Sequence, residues 1–143
     1  MAVVNHMGLC VTDLDRSRRF YEAVLGFTHQ RDLDDLPDRV VSRLLRVPEP
    51  VGLRAAYLEL DGFVLELLSF DRDGNAPQRD RSFTEPGLTH LSFSVDDIPS
   101  ACARVIAHGG EVLEDTDMGG MAIMIRDPDG QLIELLPRSY RQS

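Results

Sequence analysis

The sequence predicts an α+β fold built from two tandem βαβββ modules. Three observations lead there: two self-alignments at different offsets, a change of hydrophobic period within each copy, and a repeated Asp-Gly turn. Shifting the chain by 84 residues lays Asn5-His6-Met7-Gly8-Leu9-Cys10-Val11-Thr12-Asp13-Leu14 on Thr89-His90-Leu91-Ser92-Phe93-Ser94-Val95-Asp96-Asp97-Ile98. A shift of 68 lays Asp61-Gly62-Phe63-Val64-Leu65-Glu66-Leu67-Leu68 on Asp129-Gly130-Gln131-Leu132-Ile133-Glu134-Leu135-Leu136. Both matches fall in the same order along the chain, as duplication requires. The offsets differ by 16 residues, so the first copy carries a longer middle, between about Gln30 and Arg54.

Each copy opens on a strand, about 4–11 and 89–95, where apolar and small or polar residues alternate. A helix follows, about 14–25 and 97–108, introduced by aspartates suited to N-capping and to the first turn. Its inward positions recur at helical spacing: Leu14, Ser17, Tyr21, Val24 and Leu25 in one copy, Ile98, Cys102, Val105 and Ile106 in the other. Gly26 and Gly109-Gly110 stand where a left-handed C-terminal cap is expected. Three strands complete each unit, the last two joined through Asp61-Gly62 or Asp129-Gly130, a hairpin signal. Module 1 is thus expected over about 1–70 and module 2 over about 87–138, within one domain. The segment at about 71–86, rich in Asp, Arg, Gly and Pro, reads as the linker.

Composition narrows the function classes. At 143 residues and 43% hydrophobic content the chain suits one soluble globular domain. No apolar run approaches the roughly 18 residues of a membrane span. The start, Met-Ala-Val-Val-Asn-His, lacks the basic and apolar regions of a secretory signal, so a cytoplasmic protein is expected. A net charge of −9 argues against nucleic acid and anionic membranes as partners. Cys10 and Cys102 make neither a disulfide framework nor a CxxC zinc motif.

Side chains alternate across a strand, so His6, Gly8 and Cys10 share one face, as do His90, Ser92 and Ser94. The opposite faces, Met7-Leu9-Val11 and Leu91-Phe93-Val95, are wholly apolar and suited to packing on the helix. Glu66 and Glu134 each interrupt an apolar strand, where a carboxylate is costly to bury unless it is paired or binds a metal. Its repetition in register makes His6, Glu66, His90 and Glu134 the candidate ligands of one divalent metal. Two imidazoles and two carboxylates suit Ni, Co, Zn, Mn or Fe(II) better than Ca or Mg. The other candidates read as structural. His29 and His108 belong at the surface, Cys10 is a small buried residue, Asp61 and Asp129 are turn residues, and Phe20 and Tyr21 are core. Arg31, Arg39, Arg43, Arg46 and Arg54 are candidates to hold an anionic substrate group, though most of them read as solvated surface arginines.

These stretches carry a family resemblance. The run from His6 to Tyr21 with Leu25-Gly26-Phe27, then Leu65-Glu66-Leu67-Leu68, Gly87 to Asp97, and Asp127 to Leu136 resemble the vicinal oxygen chelate superfamily. That superfamily includes glyoxalase I, methylmalonyl-CoA epimerase, extradiol dioxygenases, and fosfomycin and bleomycin resistance proteins. The resemblance implies paired modules forming an open U-shaped barrel around the metal, held within one chain or across a homodimer. It implies His6, Glu66, His90 and Glu134 as ligands. It further implies a metal-dependent lyase, isomerase or epimerase that abstracts a proton next to a carbonyl through a metal-stabilised enediolate or enolate. The substrate would be a small molecule with vicinal oxygens or a carbonyl. Glu134 would be ligand and base, with Glu66 or Glu49 as second proton carrier. Glu49 lies near where the epimerases place a glutamate before the third strand. Where glyoxalase I proteins commonly hold glutathione with an arginine, four residues after the first histidine, this chain has Cys10. A sequestering protein of bleomycin-resistance type, a dioxygenase, and fosfomycin-resistance-like chemistry are the alternatives. The first generally lacks the quartet, and the other two usually leave the Glu66 position without a ligand.

Overall fold

The two copies found by self-alignment build two sheets of identical strand order. The computed structural model describes residues 1–33, 35–71 and 79–140. In the first module β1 (Met7–Cys10), α1 (Leu14–Phe20), β2 (Thr28–Leu33), α2 (Asp38–Leu45), β3 (Leu53–Leu60) and β4 (Phe63–Phe70) follow one another. In the second the elements are β5 (Leu91–Val95), α3 (Ile98–Ala107), β6 (Glu111–Leu113), β7 (Ile123–Arg126) and β8 (Leu132–Pro137). The sheets read β1-β4-β3-β2 and β5-β8-β7-β6, with the first strand of each parallel to the last and the other pairs antiparallel. The chain divides into two compact units, Met1–Glu22 with Gly26–Ala76 and Ala23–Leu25 with Pro77–Ser143.

The caps explain why the helices begin where they do. Asp13 and Asp97 hold extended backbone, and their carboxylates accept from the backbone N–H of Arg16 and Ser100, each at 2.9 Å. Each satisfies a donor that the first turn leaves unpaired, worth about 1 kcal/mol. α1 continues as a π-helical turn over Tyr21–Leu25 and stops at Gly26, whose φ of 84° lies in the left-handed region.

α1 packs on β3 and β4, burying Leu14, Ser17 and Phe20 against a sheet face that holds Leu58, Leu65 and Leu67. α3 does the same with Ile98, Ala101 and Val105 over Ile125, Ile133 and Leu135. Each fully buried aliphatic side chain contributes about 1.5–3 kcal/mol.

Several expectations change in detail. The paired strands begin at Met7 and Leu91, one residue after each histidine, rather than at 4 and 89. Ile106 is exposed, because Ala101 and Val105 already complete the inward stripe of α3. The long middle of the first copy holds α2, a helix that buries only Val41. Its Asp38 carboxylate accepts from Val51 N–H and ties the helix to the approach to β3. The second hairpin is one residue longer than the first. Leu60 pairs with Phe63 around a two-residue turn at Asp61-Gly62, both at positive φ. In the second module Asp127 N–H bonds Gln131 C=O across three intervening residues. The Asp127 carboxylate, buried, accepts from the N–H groups of Asp129 and Gln131. Residues 72–78 of the expected linker lie outside the described residues. From Arg79 on the segment is organised by Arg81, whose guanidinium donates to the carbonyls of Glu85, Pro86 and Leu88.

Candidate metal centre

Register decides what surrounds each glutamate. Gly8 of β1 is the Cα partner of Glu66 in β4, and Tyr57 of β3 is its partner on the other side. Directly paired residues share a face, so His6, two residues before Gly8, stands diagonal to Glu66. His6 Nε2 lies 3.0 Å from Glu66 Oε2, and Tyr57 O–H donates to Glu66 Oε1 at 2.7 Å. Arg31 of β2 pairs with Tyr57, its guanidinium carbon 4.2 Å from the Tyr57 ring centroid. The row Gly8, Glu66, Tyr57, Arg31 therefore crosses all four strands on one face. Burial pushes the Tyr57 hydroxyl above its ordinary value, as do its bond to Glu66 and that carboxylate's charge, with Arg31 opposing.

A β-bulge between His29 and Arg31 interrupts the β2 ladder. It puts His29 and Asp32, three residues apart, on the same face, where His29 Nε2 and Asp32 Oδ1 meet at 2.8 Å. His29 is thus half-buried and engaged there rather than simply solvated.

The second module repeats the pair with different neighbours. Ser92 of β5 is the partner of Glu134 in β8, and its Oγ donates to Glu134 Oε1 at 2.7 Å. His90 Nε2 stands 3.9 Å from that oxygen. Met124 and Leu113 occupy the row positions held by Tyr57 and Arg31 in the first module. Phe83, from the segment before β5, lies against the His90 ring with centroids 5.4 Å apart. The Glu134 side chain is 29% exposed and that of Glu66 only 10%.

The other ring nitrogen of each histidine is engaged by the preceding residue. His6 Nδ1 meets Asn5 Oδ1 at 2.6 Å, and His90 Nδ1 meets Thr89 Oγ1 at 2.9 Å. An amide oxygen only accepts, so His6 Nδ1 is the donor in its contact with Asn5. His6 Nε2 faces the Glu66 carboxylate oxygen at 3.0 Å, a spacing that a shared proton or a cation between them satisfies. Two ligands about 2.1 Å from one ion, at right angles, are about 3.0 Å apart. The His6–Glu66 pair therefore fits a divalent metal in donor chemistry and in spacing.

Among the described residues, no group of three or more His, Cys, Asp and Glu side chains gathers closely enough to hold a metal ion. What the structure brings together is two pairs, His6 with Glu66 and His90 with Glu134. Glu49 is exposed in the loop before β3. Cys10 is exposed rather than buried, because it shares the Gly8 face and not the face packed on the helix. Arg31, Arg39, Arg43, Arg46 and Arg54 are all exposed as expected, and Arg31 is in addition stacked on Tyr57. Sequence reasoning passed over Asn5, Tyr57, Ser92 and Thr89. For Asn5 and Thr89 the signal was available, since they align at the 84-residue offset.

With this fold and these pairs in place, the class of protein is defined. The chain belongs to the Glyoxalase/Bleomycin resistance protein/Dioxygenase superfamily, whose model matches residues 3–135. It is similar to a lactoylglutathione lyase of Pseudomonas aeruginosa, 33% identical over 96% of this chain and 83% of the relative. A glyoxalase family protein from Bacillus cereus has the same fold, with a TM-score of 0.79 at 19% identity, covering 96% of this chain and 94% of that one. A mutant of the fosfomycin resistance protein FosX of Listeria monocytogenes was solved with Mn(II) and 1S,2S-dihydroxypropylphosphonic acid. It aligns with a TM-score of 0.65 at 17% identity over 95% of this chain and 92% of its own. No helix among the described residues is long and apolar enough to cross a membrane.

Proposed function

We propose that the protein is a divalent-metal-dependent lyase or isomerase of glyoxalase type, moving a proton at a carbon next to a carbonyl in a small-molecule substrate. The observation that carries this reading is His6 Nε2 held 3.0 Å from the buried Glu66 carboxylate, with His90 Nε2 paired to Glu134 at 3.9 Å in the second module. His6, Glu66, His90 and Glu134 would hold one ion (Ni, Co, Zn, Mn or Fe), which supplies Lewis-acid activation of a carbonyl oxygen. Asn5 and Thr89 orient the two rings, and Tyr57 fixes Glu66. Glu134, more exposed and held through a single rotatable serine hydroxyl, is the carboxylate suited to take the proton. Glu66 or Glu49 is the second carrier in this reading. The similarity to a lactoylglutathione lyase supports lyase chemistry. Cys10, in place of an arginine, argues against a glutathione-bearing substrate. A cytoplasmic homodimer completes the proposal.

Metal analysis of protein purified without added metal, followed by solvent deuterium incorporation into candidate 2-oxo and acyl-CoA compounds, tests it. We expect bound Ni, Co, Zn, Mn or Fe, exchange that depends on it, and loss of exchange in Glu134→Gln. Failure to bind any of these ions would remove the proposal. Exchange that persists in Glu134→Gln would remove that residue as base.

A further inference from the structure

Both glutamates receive a hydroxyl, but from opposite sides. Glu66 lies between Gly8 on β1 and Tyr57 on β3, and the donor is Tyr57. Glu134 lies between Ser92 on β5 and Met124 on β7, and the donor is Ser92. The residue facing each donor across the glutamate, Gly8 or Met124, has no hydroxyl to give. Duplicated strands have thus kept the contact while exchanging the flank that makes it.

A β-carbon on Gly8 would stand 3.2 Å from Leu68 Cδ1 and 3.8 Å from Glu66 Oε2. Only the end of a flexible leucine is crowded, and the one polar atom within reach is the Glu66 carboxylate.

Resting on the metal-site reading above, we infer that Tyr57 and Ser92 are equivalent positioning residues. Each is a hydroxyl that pins one glutamate so that its carboxylate meets the histidine of its own module. The role belongs to the hydroxyl and not to the flank. A serine placed at position 8 can therefore replace the tyrosine at position 57. Carboxylates held by an outer hydrogen bond bind metal more tightly because no orientation is lost on binding, and losing such a partner weakens binding about 10–100-fold.

The test is Co(II) affinity by chelator competition, with the d–d absorption spectrum as a second readout and thermal melting as a check on folding. Tyr57→Phe should weaken Co(II) binding about 10-fold and alter the spectrum. Adding Gly8→Ser to it should restore both, and adding Gly8→Ala should restore neither. Ser92→Ala, at an exposed position, should reproduce the loss in the other module even if Tyr57→Phe folds poorly. Unchanged affinity in Tyr57→Phe and Ser92→Ala would overturn the inference, and so would rescue by alanine as complete as by serine. Absence of Co(II) binding in the unmutated protein would sink the metal site itself, which sets that failure apart from failure of the hydroxyl's role alone.

Discussion

Replacing Glu66 with leucine separates a residue kept for binding from one kept for folding. Glu66 is buried between Leu65 and Leu67 along its strand, and its polar contacts are the Tyr57 hydroxyl at 2.7 Å and His6 Nε2 at 3.0 Å. A leucine there gains about 1.5–3 kcal/mol of apolar burial. It gives up a charge-assisted hydrogen bond worth about 1.5–3 kcal/mol. It also relieves the desolvation of a carboxylate. Against these two gains stand the lost bond and the Tyr57 hydroxyl left without its acceptor, which costs about 1–3 kcal/mol more. The terms roughly offset, so metal-free Glu66→Leu should melt within about 5 °C of the metal-free parent, since a chain of 143 residues has an unfolding entropy of about 0.3 kcal/mol per kelvin. Metal tells the other half. An ion at about 100 times its Kd stabilises the folded state by about 2.7 kcal/mol, or about 9 °C here. Chelation should therefore lower the melting temperature of the parent by about that amount and leave Glu66→Leu unmoved. Differential scanning calorimetry with and without chelator reads both. A drop of more than about 10 °C in metal-free Glu66→Leu, near 3 kcal/mol, would mean that the glutamate holds the sheet together, and the reasoning would fail.

Other expectations concern residues outside the pairs. Asp127→Ala leaves the N–H groups of Asp129 and Gln131 without their acceptor in a buried turn, and should cost about 2–4 kcal/mol. Asp127→Asn should recover part of that loss, and equal melting of the two variants would refute the role of the acceptor. Of the two thiols, exposed Cys10 should react at once with a disulfide reagent at pH 8. Half-buried Cys102 should react slowly, because burial, then the charges of Glu114 and Asp117, raise its thiol above its ordinary value. Its rate should still be climbing above pH 9, and Cys10→Ser should delete the fast phase. Equal rates for both would contradict the placement of Cys102.

The repeat made much of this architecture legible. Asp13 and Asp97 announce their helices because a cap is a local event, and Asp61-Gly62 announces a turn for the same reason. The histidines and glutamates stood out because both recur at fixed places in the copies. Tyr57 did not, since a tyrosine in a strand is ordinary, and its bond to Glu66 exists only once β3 and β4 are in register. Asp127 was hidden by its neighbour, because Asp129-Gly130 looked like the same two-residue turn as Asp61-Gly62. The α2 helix buries one residue and leaves Leu44 exposed, so its pattern carried little signal. Cys10 was misjudged because a small thiol is usually interior, yet strand parity had already assigned it to the open face.

The two cross-strand rows bear on what each module can touch. Outboard of Glu66 come a phenol and a guanidinium. Outboard of Glu134 come a thioether and a leucine. A chemical group lying outboard of Glu66 would meet a hydrogen-bond donor and a positive charge, whereas one outboard of Glu134 would meet a thioether and an alkyl side chain. Duplication preserved the frame and let the upholstery diverge, so the halves are no longer interchangeable to a ligand. Taken by itself, each module favours a different kind of group: a polar one beside Tyr57 and Arg31, an apolar one beside Met124 and Leu113.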